Sequence, residues 1–192
     1  MGIVKTETKK TLKTVGTIAF FIFSGLLVLY ILLELFIPDM TIKVFQFKPY
    51  VVLTESMEPV IDVDDMVIVW NPNPDKLEVG DIITFKADID YNGTKETVTH
   101  YIHTITENND GDRIFRTNRY GSTTPDTWIL RDSDIIGVYG FRIRQLGVLV
   151  NFIKSPFGIA AVSVNLIVIG AIVYLVKSGK KEKIEKVETT EI

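Results

Sequence analysis

The sequence predicts a mainly β domain flanked by two transmembrane α-helices. Three observations carry this reading. Two long apolar blocks, 15–37 and 157–176, stand near the ends. The stretch between them is polar enough for an ordinary globular domain. Within it, short runs rich in β-branched residues alternate with turn signals, and no long helical pattern intervenes.

The first block runs almost unbroken in apolar residues until Pro38-Asp39. A helix needs about 20 residues to cross a hydrocarbon core. A cleaved leader has a shorter apolar core, about 7–15 residues, and then a small-residue cleavage site. This run is longer and closes on Leu35-Phe36-Ile37-Pro38, which reads as an uncleaved anchor. Lys5, Lys9, Lys10 and Lys13 precede it. Positive charge on a short flank holds that side in the cytoplasm. Glu34, near the outer end, is expected at the lipid–water boundary. The segment 39–49 reads as a short connection. Its Val44, Phe45 and Phe47 suit either the lipid interface or the domain core.

The middle stretch carries the strands. Met66-Val67-Ile68-Val69-Trp70 is a short apolar run, and Asn71-Pro72-Asn73-Pro74 ends it, because prolines cannot continue a central strand. Gly80-Asp81 turns into Ile82-Ile83-Thr84-Phe85. Tyr91-Asn92-Gly93-Thr94 and Asn108-Asn109-Asp110-Gly111 are hairpin signals, and residues 97–106 between them favour a strand. Residues 134–139 form another. Ser155-Pro156 then suits a helix start before the second block. Asn165 within that block suits an interhelical contact or a bond to its own backbone. The lysines and glutamates after 176 predict a solvated tail with little fixed structure. The expected layout is therefore a cytoplasmic tail (1–14), a span (15–37), an extracytoplasmic β-rich domain (38–145), a membrane-proximal connection (146–156), a span (157–176) and a charged cytoplasmic tail (177–192).

Composition narrows the chemistry. A net charge of −3 argues against a nucleic-acid partner, since phosphate binding needs a basic face. The absence of cysteine excludes disulfides, thiol nucleophiles and thiolate metal sites. With only His100 and His103 present, a metal would need both histidines or carboxylates. No metal and no cofactor are expected.

One turn stands out, Thr54-Glu55-Ser56-Met57-Glu58-Pro59, set between an apolar approach and the Met66 run. A serine hydroxyl is a poor nucleophile at neutral pH and needs a base beside it. His100 and His103 are the natural candidates. An odd step separates them, so an unbroken strand would point them to opposite faces. A histidine base in turn needs a carboxylate on its far nitrogen. Asp126, Asp132 and Asp134 are available, and spacing does not choose among them. A bland reading stands beside this one: such a turn commonly uses its serine to bond local backbone.

The Ser56 turn resembles the Ser-Met-x-Pro box of type I signal peptidases. Gly80-Asp81-Ile82-Ile83-Thr84-Phe85 resembles that family's Gly-Asp-Ile-hydrophobic strand. Val98-Thr99-His100-Tyr101-Ile102 resembles the box carrying the general base, and Asp132-Ser133-Asp134-Ile135-Ile136-Gly137 the closing acidic-hydrophobic-Gly box. The ordered set, over roughly 50–140, is far more specific than any one piece. His100 at the base position resembles the histidine-base branch found in the endoplasmic reticulum, archaea and sporulating bacteria. His103 falls off the motif and reads as structural or exposed. One departure is plain. That branch usually carries Thr-Lys-Gly-Asp-Asn after the base, whereas this chain reads Thr117-Asn118-Arg119-Tyr120-Gly121. Tyr120 occupies the first aspartate position, and only the later one survives, as Asp126.

The resemblance implies a signal-peptidase-like β fold and a membrane-bound serine endopeptidase that cuts N-terminal signal peptides after small residues. Ser56 would attack, His100 would carry the proton, and Asp126 would steady the imidazolium, with Asp134 the second choice. The oxyanion would meet the backbone N–H of Ser56 and the hydroxyl of Thr54. The implied partners are preprotein signal peptides and the lipid bilayer, with room for accessory subunits. The implied place is the cell membrane, or the endoplasmic-reticulum membrane in a eukaryote. Two readings compete: a related peptidase with a narrow client set, and, on the strength of Tyr120, a non-catalytic membrane-anchored β module or impaired homologue that binds partners.

Overall fold

The computed structural model describes residues 3–188, with side chains between 11 and 178. The expected roles of Lys5, Lys9, Lys10 and the lysines from Lys180 onward rest on side chains outside the described ones. Helix α1 (Ile3–Phe36) opens the chain, and its stretch Thr11–Phe36 is long and apolar enough to cross a membrane. Helix α4 (Pro156–Glu188) closes it, with Pro156–Ser178 meeting the same criterion. Asn165 bonds the Ala161 carbonyl one turn back, so its amide is satisfied within its own helix. The backbone of α4 stays helical to Glu188, well into the tail expected to have little fixed structure. Lysine and glutamate are strong helix formers, so they extend a helix that the apolar segment has already nucleated.

Between these helices lies one antiparallel seven-stranded sheet in the order β1-β2-β7-β3-β4-β5-β6. Its strands are β1 (Phe47–Val51), β2 (Met66–Trp70), β3 (Ile82–Ala87), β4 (Glu96–Glu107), β5 (Arg113–Asn118), β6 (Leu130–Arg131) and β7 (Ile135–Ile143). The two hairpin signals join β3 to β4 and β4 to β5, where Gly93 and Gly111 take the positive φ those turns require. One cluster of buried side chains, including Ile83, Phe85, Ile102, Phe115 and Leu130, fills the space over β3, β4 and β5. A second, with Ile42, Met57, Ile61, Val67 and Val69, sits beside β2.

Three local features add to or differ from the sequence expectation. The connection after the anchor contains helix α2 (Pro38–Phe45), begun by a proline that is already free of a donor. Its Ile42 is core, while Val44 is half exposed. Glu34 is held by an ion pair with the buried Lys48 of β1 at 2.9 Å, so the end of α1 is bolted to the edge strand. Lastly, β4 is not unbroken: its pairing with β5 shifts between Ile102 and Thr104, so the simple alternation drawn for His100 and His103 does not hold across that bulge.

Candidate active site

The Ser56 turn is one short 3-10 turn, Glu55–Met57, and its lower side is anchored by Met57, which is buried in the second core cluster. The backbone N–H of Tyr120 donates to the Ser56 carbonyl at 3.1 Å, tying the turn to the end of β5. The hydroxyls of Thr54 and Ser56 lie 3.3 Å apart. Both residues line a cavity of about 650 Å³. Val52, Leu53 and Met57 form one apolar side of it, and Val98, His100 and Trp128 lie on another.

His100 comes from the middle of β4, paired with Ile83 of β3 and almost fully buried. Its Nδ1 lies 2.8 Å from Oδ2 of Asp126. That oxygen also accepts the Thr117 hydroxyl at 2.7 Å. The Thr117 oxygen in turn accepts the Trp128 indole N–H at 2.9 Å. The chain of donors fixes the protons. The indole can only donate, so Thr117 directs its own hydrogen to the carboxylate. An ionised carboxylate can only accept, so Nδ1 of His100 carries the hydrogen. The Nε2 lone pair is then left for the groove that Ser56 lines.

The surroundings hold this arrangement in place. The Asp126 N–H donates to the Thr117 carbonyl at 2.7 Å, and the Asp126 carbonyl accepts both Nε and Nη2 of Arg116, at 3.1 and 2.7 Å. The loop that brings Asp126 back to β5 is thus clamped from both sides of its peptide. The imidazole, Phe85 and Trp128 rings pack as a triangle, with ring centres 6.3 Å (His100–Phe85), 6.0 Å (His100–Trp128) and 6.2 Å (Phe85–Trp128) apart. These contacts limit both the tilt and the swing of the ring.

Asp134 is engaged elsewhere, by Lys95 at 2.8 Å and by the Arg131 N–H at 3.0 Å. Asp132 precedes it in the same 3-10 turn. His103 does not line the groove. Sequence reasoning passed over Thr117, Trp128 and Arg116. Thr117 was visible as the first residue of the segment in which Tyr120 departs, but nothing local marks a threonine as a partner for a carboxylate. Among the described residues, Asp88, Asp90 and Glu96 form an acidic group, half-buried at Asp88 and Glu96 and exposed at Asp90, of which Glu96 lines the groove.

A buried imidazole with a carboxylate on one nitrogen thus shares a groove with a turn-borne serine, the residue types that a serine hydrolase employs. The sequence model of the family described as "Signal peptidase, peptidase S26" matches residues 20–119, more than half of the chain, and the chain belongs to that family. The matched segment takes in Ser56 and His100 and ends before Tyr120 and Asp126. A search of curated proteins finds no match to the chain.

Proposed function

We propose that this protein is a membrane-bound serine endopeptidase that removes signal peptides from preproteins by acyl transfer to water. Ser56 attacks the scissile carbonyl. Nε2 of His100 takes the serine proton and later returns it to the leaving amine, while Asp126 stabilises the imidazolium. The oxyanion is met by the Ser56 N–H and the Thr54 hydroxyl. The observation that carries this reading is the His100–Asp126 contact at 2.8 Å on a groove that also holds Ser56. The substrate is an extended segment. In support, β1 is an edge of the sheet, and its Tyr50 and Val51 line the groove, so an added strand would find unpaired backbone there. Apolar groove walls suit small uncharged side chains just before the cut. The two apolar helices support a bilayer setting. With lysine-rich flanks inside, the β domain stands on the extracytoplasmic face, where a signal peptide's cleavage site emerges.

The test incubates the detergent-solubilised full chain with a preprotein and follows product by mass. Cleavage should vanish in Ser56→Ala and in His100→Ala. Undiminished cleavage by either variant would overturn the assignment.

A further inference from the structure

Helix α3 (Leu146–Lys154) presents its apolar face the wrong way for a soluble domain. A surface helix normally turns its apolar stripe toward the core. Here the side that touches the domain centres on the buried Gly147, with Leu146 and Val150 half-buried beside it and the exposed Asn151 bonded to the domain through its amide. The Gly147 N–H donates to the Asp64 carbonyl at 2.9 Å, and the Asn151 amide donates to the Asp64 carboxylate at 3.0 Å. Val148, Leu149, Phe152 and Ile153 lie on the other side, at 52, 52, 51 and 46% exposure. At 100° per residue these four span an arc of about 140°, centred opposite Gly147 and Lys154.

The placement of the helix is rigid at both ends. A Cβ on Gly147 would come within 2.5 Å of the Asp64 carbonyl oxygen and 2.7 Å of a Val51 methyl, so the helix backbone lies directly on β1. Val51 lines the groove described above. At the other end a single residue, Ser155, separates α3 from α4. Its hydroxyl donates to the Phe152 carbonyl at 2.6 Å and accepts the Gly158 N–H at 3.1 Å. A Cβ on Gly158 would overlap the Phe152 carbonyl oxygen. The elbow is therefore closed too tightly for any side chain at 158. The apolar stretch of α4 begins immediately after it, at Pro156.

We propose that α3 is an interfacial helix. It lies in the boundary between lipid headgroups and acyl chains, with Val148, Leu149, Phe152 and Ile153 facing the lipid, and so sets the height of the groove above the bilayer. The proposal rests on the membrane association that the two apolar helices indicate. Lipid is favoured over a second copy because α3 is continuous with the start of an apolar span. Only Lys154 and Ser155 separate its outward apolar residues from that span, and exposed Arg144 and Lys154 stand at its two ends, where headgroup phosphates would meet them. An amphipathic helix of this kind seats about 5–10 Å into the boundary. The contact at Val51 then passes that depth directly to the edge of the groove.

The chain has no cysteine, so single cysteines introduced by substitution can be labelled uniquely. We would label Leu149→Cys and Phe152→Cys, one at a time, with an environment-sensitive fluorophore in the full chain reconstituted into nanodiscs. Asp110→Cys at a hairpin tip serves as the aqueous control and Ile167→Cys within α4 as the lipid control. Val148→Cys and Ile153→Cys replace the first pair if either fails to fold by thermal unfolding. Brominated lipid should quench the α3 labels about as strongly as the label at 167, while iodide should quench only the label at 110. Iodide quenching of the α3 labels, with the 167 label still lipid-quenched, overturns the proposal. Shielding of the α3 labels from both quenchers also overturns it, because protein then covers the face. Failure of lipid to quench the 167 label shows that the membrane reading itself has failed.

Discussion

Replacing Asp126 by asparagine separates charge from orientation at this site. In the usual arrangement such a change costs about ten-thousandfold in kcat, because the amide selects the wrong imidazole tautomer. Here both donors converge on one oxygen: Oδ2 accepts the Nδ1 hydrogen and the Thr117 hydroxyl. Thr117 is fully buried, and its own oxygen is occupied by the Trp128 indole, so its hydrogen is committed to residue 126. An amide in Asp126→Asn therefore places its carbonyl oxygen at that spot and keeps the tautomer. What is lost is the charge. With Nδ1 and Oδ2 2.8 Å apart, the two charge centres are about 4 Å apart, worth about 4 kcal/mol at an effective dielectric near 20. The pair is largely shielded from water, at 7 and 13% side-chain exposure, so a water-like dielectric does not apply. The expected loss is roughly a thousandfold. Thr117→Val in the parent removes one hydrogen bond to a charged group and should cost roughly tenfold to a hundredfold. In the Asp126→Asn background the same change frees the amide to turn its NH₂ toward Nδ1, and the loss from Thr117→Val should be clearly larger. Single-turnover cleavage of a preprotein by the four proteins closes the cycle. Equal factors for Thr117→Val in both backgrounds would refute the argument that the threonine fixes the proton.

Other expectations follow from the same contacts. Burial alone would raise the pKa of the Asp65 carboxyl, but the N–H groups of Gln145 and Asp62 and the Arg142 guanidinium bond its anion and hold it below the usual range. Its contribution is thus full above the unfolded carboxylate value of about 3.9 and is lost as pH falls through the lower folded value. Asp65→Asn should flatten the acid side of a thermal-unfolding series and cost about 3–5 kcal/mol at neutral pH, as for one partner removed from a buried pair; an unchanged acid limb would count against it. Glu34→Ala should destabilise more than Lys48→Met in thermal unfolding, because it leaves a lysine whose side chain is 9% exposed with the Pro38 carbonyl but no counter-charge, whereas the reverse change leaves a glutamate at 40% exposure. Tyr120→Pro, which deletes the N–H bonded to Ser56, should slow cleavage about tenfold, whereas Tyr120→Phe should leave the rate within about twofold.

Much of the fold was legible because its signals are local. The hairpins announced themselves through Asn92-Gly93 and Asp110-Gly111, and the apolar blocks through length alone. Helix α3 was read as a connection, since nine residues are too few for periodicity to outweigh a boundary expectation. The bulge after Ile102 left no mark on the sequence, since it records how β4 meets β5 rather than what β4 contains. The site divides in the same way. Ser56 and His100 sit in boxes whose neighbours are sequence-adjacent, so resemblance found them. Thr117 and Trp128 act through contacts that cross from strand to loop, and only the three-dimensional register brings them to the carboxylate.

Tyr120 illustrates why a departure from a motif need not remove the chemistry it suggests. The position contributes its backbone N–H to the Ser56 carbonyl, a bond that any residue except proline can make. The carboxylate beside the imidazole comes instead from Asp126, which Arg116 and Thr117 hold through its main chain. The tyrosine side chain at 120 is itself exposed, while its backbone keeps the turn that carries the serine tied to the end of β5. The single-acid arrangement is therefore self-consistent, and it places the burden of fixing the histidine on Thr117, where the double-mutant cycle above would detect it.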